Sequence, residues 1–204
     1  YHPSLLPRHR GPSSINWPII QGAAKTGLSI FWPDNGLDTG PILLQKEVEI
    51  TAADTLGSIY FDKLFPLGVA AMLEGVDLVK AGKAPRIAQN EADATYESWC
   101  TADDVAIDWS QPATIVHNLI RGADPQPGAW TSHDGKRLQV YDCVRIDGAA
   151  NGVPGEIISI GAEGIEVAAG DGRILVKRVR GEGVKMAAAD YAGEGGLRVG
   201  MRLG

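Results

Sequence analysis

Apolar and polar positions in the first hundred residues follow two periods. Leu28-Ser29-Ile30-Phe31-Trp32 alternates and is rich in β-branched and aromatic side chains, which predicts a strand. A second strand is predicted over 42–50, where Val48 and Ile50 alternate with Glu47 and Glu49. Pro33-Asp34-Asn35-Gly36 between the two is a turn signal. The period then lengthens. Ile59, Leu64, Leu67, Ala70, Ala71, Leu73, Leu78 and Val79 share one face of a helix over 54–81, with Thr51 or Asp54 as cap, a kink or break at Pro66 and a stop at Gly82. Upstream, Pro3, Pro7 and Pro12 keep the chain extended, and Asn16 to Gln21 form a short helix ended by Gly22.

Residues 83–104 read as a linker between domains. Ser110 is the expected cap of a helix running through Arg121, with Ile115, Leu119 and Ile120 apolar. From 129 the pattern becomes one of short strands, at 137–146, 155–160, 164–169 and 173–180. The turn pairs Asp134-Gly135, Asp147-Gly148, Glu163-Gly164 and Asp171-Gly172 separate them. The layout is therefore an α/β portion over 1–95 and a mostly β portion over 96–204, a small barrel or sandwich.

Composition narrows the classes. The net charge of -6 gives no global basic field for nucleic acid. Two distant cysteines, Cys100 and Cys143, suit reduced thiols rather than a disulfide framework or zinc clip, and His2, His9, His117 and His133 lack metal-ligand spacing. Charges at Asp62, Lys63, Glu74, Asp77 and Lys80 interrupt the longest apolar pattern, and there is no secretory signal, so a cytoplasmic protein without membrane partner or metal is expected. The chain opens Tyr1-His2-Pro3 without an initiator Met, so a preceding N-terminal portion is expected.

Two segments carry candidate chemistry. His2-Pro3-Ser4-Leu5-Leu6-Pro7-Arg8 puts an imidazole beside a proline-stiffened loop, and Gly36-Leu37-Asp38-Thr39-Gly40 puts a carboxylate in a glycine-flanked turn. An Asp–His pair fixes an imidazole tautomer and raises its basicity, which suits proton removal from an amine or water attacking an acyl carbon. Spacing alone leaves the ordinary alternative open, an Asp that only bonds its own turn.

These linked motifs, with Thr26-Gly27, Asp54-Thr55, Ile107-Asp108-Trp109 and Met201-Arg202-Leu203-Gly204, resemble the folate-dependent formyltransferases. That family includes methionyl-tRNA formyltransferase and the hydrolase domain of 10-formyltetrahydrofolate dehydrogenase. The resemblance implies His2 and Asp38 as catalytic residues. It implies Ser4, Leu5, Leu6, Pro7 and Arg8, with Gly36, around the substrate, and 10-formyltetrahydrofolate as donor. It implies the C-terminal half of a Rossmann-like formyltransferase domain over 1–95 and a formyltransferase C-terminal OB-like barrel over 96–204. Two departures stand out: the family's asparagine two positions before the histidine would precede Tyr1, and Pro41 stands where many relatives carry an acid.

For the acceptor, Gly82-Lys83-Ala84-Pro85-Arg86, Thr95-Tyr96-Glu97 and Pro127-Gly128-Ala129-Trp130-Thr131 look most like the dehydrogenase hydrolase domain. Water is then the acceptor, and formate and tetrahydrofolate leave. Methionyl-tRNA, a small amine, or a non-catalytic folate- or RNA-binding role are the alternatives. From Asp104 onward 13 acidic residues face 11 basic ones, a poor balance for tRNA, although Arg173, Lys177, Arg178, Arg180 and Lys185 cluster. Arg8 and Arg10 are read equally well as anion contacts or loop charges, Trp109 and Trp130 as core, and His9, His117 and His133 as surface or capping groups.

Overall fold

The structure, a computed structural model, describes residues 1–204 and divides into two compact units, Tyr1–Cys100 and Thr101–Gly204. The sequence reading put the junction at 95/96. Residues 95–100 instead hold to the first unit, where Arg10 N donates to Thr95 O, Glu97 N to Arg10 O, and Cys100 N to Ser13 Oγ.

In the first unit, β1 (Lys25–Phe31) and β2 (Ile42–Glu49) pair antiparallel, from Lys25 opposite Glu49 to Ile30 opposite Leu44, with an irregularity before Phe31. α1 (Asn16–Ile20) precedes them and the long helix α2 (Leu56–Lys80) follows. Ile19, Leu28, Ile30, Leu43, Ile50, Ile59, Leu64 and Ala71 form the core between sheet and helices. The cap of α2 is Thr55, not Thr51 or Asp54: its Oγ1 accepts from Ser58 N while Ser58 Oγ accepts from Thr55 N. Asp54 anchors the preceding turn instead, accepting from Thr51 N and Oγ1, Ser58 Oγ and Lys63 Nζ. Burial alone would push its carboxyl up, but Lys63 and those hydrogen bonds hold it at about 2.

Pro66 neither breaks nor splits the helix. Residues Ile59–Leu64 widen into a π-helical turn just before it, which accommodates the proline's missing N–H and the bulk of its ring. Gly68, Ala71 and Gly75 of α2 are buried; a Cβ on Gly75 would rest 3.4 Å from Ile30 Cγ2. Beside that buried stripe the helix stays apolar and exposed at Phe61, Phe65, Val69, Met72, Leu73 and Val76. The most apolar window of α2 has a mean hydropathy of 1.3 and is 22% buried. By length and composition the helix reaches the dimensions of a membrane span, which its scattered charges had argued against.

The expected linker is no free linker. Ile87 bridges Ile42 through two backbone hydrogen bonds, residues 91–93 make a single 3₁₀ turn, and Tyr96 bridges Arg10, so 87–97 straps the first unit.

The second unit contains β3 (Trp130–His133), β4 (Lys136–Ile146), β5 (Ile157–Gly161), β6 (Gly164–Ala168), β7 (Arg173–Arg180) and β8 (Met186–Ala187), in the order β3-β4-β7-β6-β5 with β8 on β7. The short β3 and β8 and the helix α4 (Ala188–Gly195) were not foreseen. Asp134 and Gly135, both at positive φ, make the tight β3–β4 turn that the Asp-Gly pair signals. No ladder joins β3 to β5, so strand pairing leaves the expected barrel open. The C-terminal segment bonds to both edges instead: Ile157 N donates to Met201 O, Leu203 N to Gly155 O, and Gly204 N to Ser132 O.

α3 (Ala113–Gly122) starts later than Ser110 and receives its cap from afar, Asp171 Oδ1 accepting from Ala113 N. Ile115, placed in the core by its apolarity, is exposed. The basic residues of β7 are partly engaged within the unit, Arg173 with Glu166 and Arg180 with Gln139. His117 is buried rather than on the surface. Burial, with Arg121 nearby, lowers its imidazole to about 4 from an ordinary 6.5. Between those values the unfolded chain binds the proton and the folded chain does not, so stability falls on acidification. Denaturant titrations at pH 7.5 and 5 should differ by about 2 kcal/mol, and His117→Gln should remove most of that difference.

Candidate active site

Residues 1–11 lie against β1. His2 and Ser29 exchange two backbone hydrogen bonds, and Ser29 Oγ donates to Ser4 O while accepting from Leu6 N and from Gln45 Nε2. Gly27 lets this loop approach, since a Cβ there would meet Leu5 Cδ2 at 2.6 Å and Lys46 O at 2.1 Å.

The Asp38 turn is built by its own side chains. Asp34 Oδ1 accepts from Gly36 N and from Thr39 Oγ1, at 3.0 and 2.6 Å. Those bonds, Thr39 foremost, hold the Asp34 carboxyl below its usual range. Asp38 itself adopts φ 56, a left-handed conformation that Asp tolerates better than most side chains. Gly40 packs so tightly that a Cβ would lie 1.7 Å from Trp32 O.

These two loops bring the predicted pair together. His2 Nδ1 lies 3.6 Å from Asp38 Oδ2. His2 Nε2 is 2.8 Å from the carbonyl oxygen of His9. A carbonyl only accepts, so Nε2 carries a proton, and in the neutral imidazole Nδ1 is then the bare nitrogen facing the carboxylate. His9 O, not Asp38, therefore sets the tautomer. Asp38 Oδ2 accepts from Gly11 N at 2.8 Å. The His2 side chain is 8% exposed and that of Asp38 20%, so solvent reaches the pair mainly at the carboxylate.

The residues expected around a substrate are divided. Ser4 and Leu6 are buried and shape the loop, Ser4 Oγ donating to Arg8 O. Leu5, Pro7 and Arg8 line a separate cleft with His9, Lys25, Thr26 and Asp93. Gly36 sits exposed in the Asp34–Thr39 turn. In that cleft, burial holds the His9 imidazole below its ordinary value although Glu97 Oε1 lies 3.1 Å from Nδ1.

Sequence reasoning missed the residues that hold the pair in place: the His9 carbonyl, the Gly11 amide, Gln89 and the fully buried Arg10. The signal available was an arginine in a loop and a glutamine in an apparent linker, which no periodicity connects. No cluster of three or more His, Cys, Asp or Glu side chains is arranged to hold a metal ion.

Two family profiles match the chain, "Formyl transferase" over residues 1–74 and "Formyl transferase, C-terminal domain" over 100–195. Human mitochondrial 10-formyltetrahydrofolate dehydrogenase is 44% identical over 199 residues, covering 93% of this chain and 21% of that protein. Methionyl-tRNA formyltransferase of Syntrophus aciditrophicus (strain SB) is 38% identical over 204 residues, covering all of this chain and 65% of that protein. The chain thus spans about a fifth of the dehydrogenase's length. Among solved structures, HypX from Aquifex aeolicus in complex with tetrahydrofolic acid superposes with a TM-score of 0.80 at 22% identity, covering 97% of this chain and 35% of HypX. The two profiles together match most of the chain, and with these relatives they show that the chain belongs to the formyl transferase family.

Proposed function

We propose that this chain carries out formyl transfer from 10-formyltetrahydrofolate to water, releasing formate and tetrahydrofolate. The observation that carries the reading is the bare Nδ1 of His2 facing Asp38 Oδ2 while Nε2 is committed to His9 O. In this reading His2 Nδ1 takes a proton from water as its oxygen attacks the formyl carbon. The imidazolium so formed is stabilised by the Asp38 carboxylate, which the Gly11 N–H holds in place. The C–N bond then breaks, the folate nitrogen recovers the proton from His2, and formate leaves. At 3.6 Å a neutral imidazole makes no direct hydrogen bond to the Asp38 carboxylate, so the attraction grows when charge develops on His2.

The 10-formyltetrahydrofolate dehydrogenase relatives support water as acceptor, and the tetrahydrofolic acid held by HypX supports a folate donor. The sheet order with its C-terminal segment bonded to both edges supports an OB-like second unit left open at one seam. The β1–β2 pair with α2 supports the C-terminal half of a Rossmann-like domain. The test is to incubate the complete polypeptide with 10-formyltetrahydrofolate and measure formate, then repeat with methionyl-tRNA and measure the formylated product. Formate release without tRNA is expected; formylation of methionyl-tRNA at a much higher rate than hydrolysis would move the acceptor to tRNA.

A further inference from the structure

We propose that Gln89, oriented by Arg10, is a positioning residue for Asp38; this rests on reading His2 and Asp38 as the catalytic pair. Gln89 Nε2 donates to the carbonyl oxygens of both Asp38 and Gly40, at 2.8 and 2.7 Å. Its Oε1 accepts from Arg10 Nε and Nη2, at 3.1 and 2.8 Å. That contact fixes the amide: turned over, its NH₂ would face the guanidinium and its oxygen would face two carbonyls.

Arg10 is in turn held firmly. Its side chain is fully buried, and its five N–H donors meet Gln89 twice, Glu91 twice and Tyr96 once. The next residue, Gly11, donates its N–H to Asp38 Oδ2. Asp38 is thus gripped at both ends, the carboxylate by the His2 loop and the carbonyl by the 87–97 strap. Its left-handed φ of 56 is a conformation that needs such external support. Without the Gln89 donors the Asp38–Gly40 backbone is free to relax, and the carboxylate moves off His2 Nδ1.

The test compares steady-state formate release from 10-formyltetrahydrofolate by the complete polypeptide in wild-type form and in four variants. Gln89→Glu keeps an acceptor for Arg10 but has no donor for the two carbonyls. Gln89→Met, made alongside, removes the donors without adding a charge, so a folding defect in one leaves the other to decide. Asn90→Ala loosens the 3₁₀ turn of the same strap, where Asn90 Oδ1 accepts from Ala92 N and Nδ2 donates to Asp93 Oδ2, and leaves the Arg10–Gln89–Asp38 bonds in place. Asp38→Asn tests the catalytic reading itself.

Both Gln89 variants should lose about 10–100-fold in kcat, with KM for the folate within about threefold of wild type and the kcat–pH profile displaced. Asn90→Ala should keep kcat within about twofold. Wild-type kcat in either folded Gln89 variant, with Asp38→Asn inactive, overturns the positioning role alone. An equal loss in Asn90→Ala also overturns it, because the strap would then act only through stability. Full activity in Asp38→Asn overturns both the positioning role and the catalytic reading.

Discussion

His2→Gln should reduce formate release from 10-formyltetrahydrofolate by about 10³-fold while leaving the unfolding midpoint nearly unchanged. Glutamine keeps a side-chain N–H for the His9 carbonyl and fills much of the imidazole's volume, so the 1–11 loop retains its anchor on β1. It supplies no group that takes a proton near neutral pH. The loss therefore measures proton transfer at Nδ1 rather than loop structure. Stopped-flow or end-point formate assays, paired with thermal unfolding, separate the two. A variant that unfolds with wild-type cooperativity and still releases formate at the wild-type rate removes His2 from the chemistry.

Arg10→Met should cost the first unit about 1–3 kcal/mol. Methionine fills part of the space but satisfies none of the four acceptor atoms, on Gln89, Glu91 and Tyr96, that the guanidinium meets. Glu91, whose side chain is largely exposed, regains water easily; the half-buried Gln89 does so less readily. The strap should loosen first, so amide exchange at Thr95 and Glu97 should speed up before that of β1. Equal protection of the strap in wild type and variant contradicts this picture.

What the sequence made legible was local. Alternation placed β1 and β2, the Asp-Gly pair placed the β3–β4 turn, and the paired loop motifs placed His2 and Asp38. What it hid depends on partners far along the chain. Arg10 meets Gln89, Glu91 and Tyr96 across some eighty residues, so the strap read as a linker. Asp171 caps α3 from another loop, so Ser110 looked like the cap. Ile115 and His117 exchanged their expected places because an apolar residue is not obliged to be buried, and a histidine is buried readily once neutral. The tautomer of His2 was equally invisible, since it is set by a main-chain carbonyl, a group every residue carries.

The role of the His2–Asp38 pair is tested most directly by single-turnover formate release from 10-formyltetrahydrofolate in the complete polypeptide, wild type against Asp38→Asn. Asparagine preserves an acceptor oxygen for the Gly11 N–H but removes the charge that faces Nδ1. A fall of about 10²-fold or more, with the folded state intact, is the predicted result. Single-turnover rates equal within error would contradict the assignment of Asp38 and, with it, the proposed mechanism.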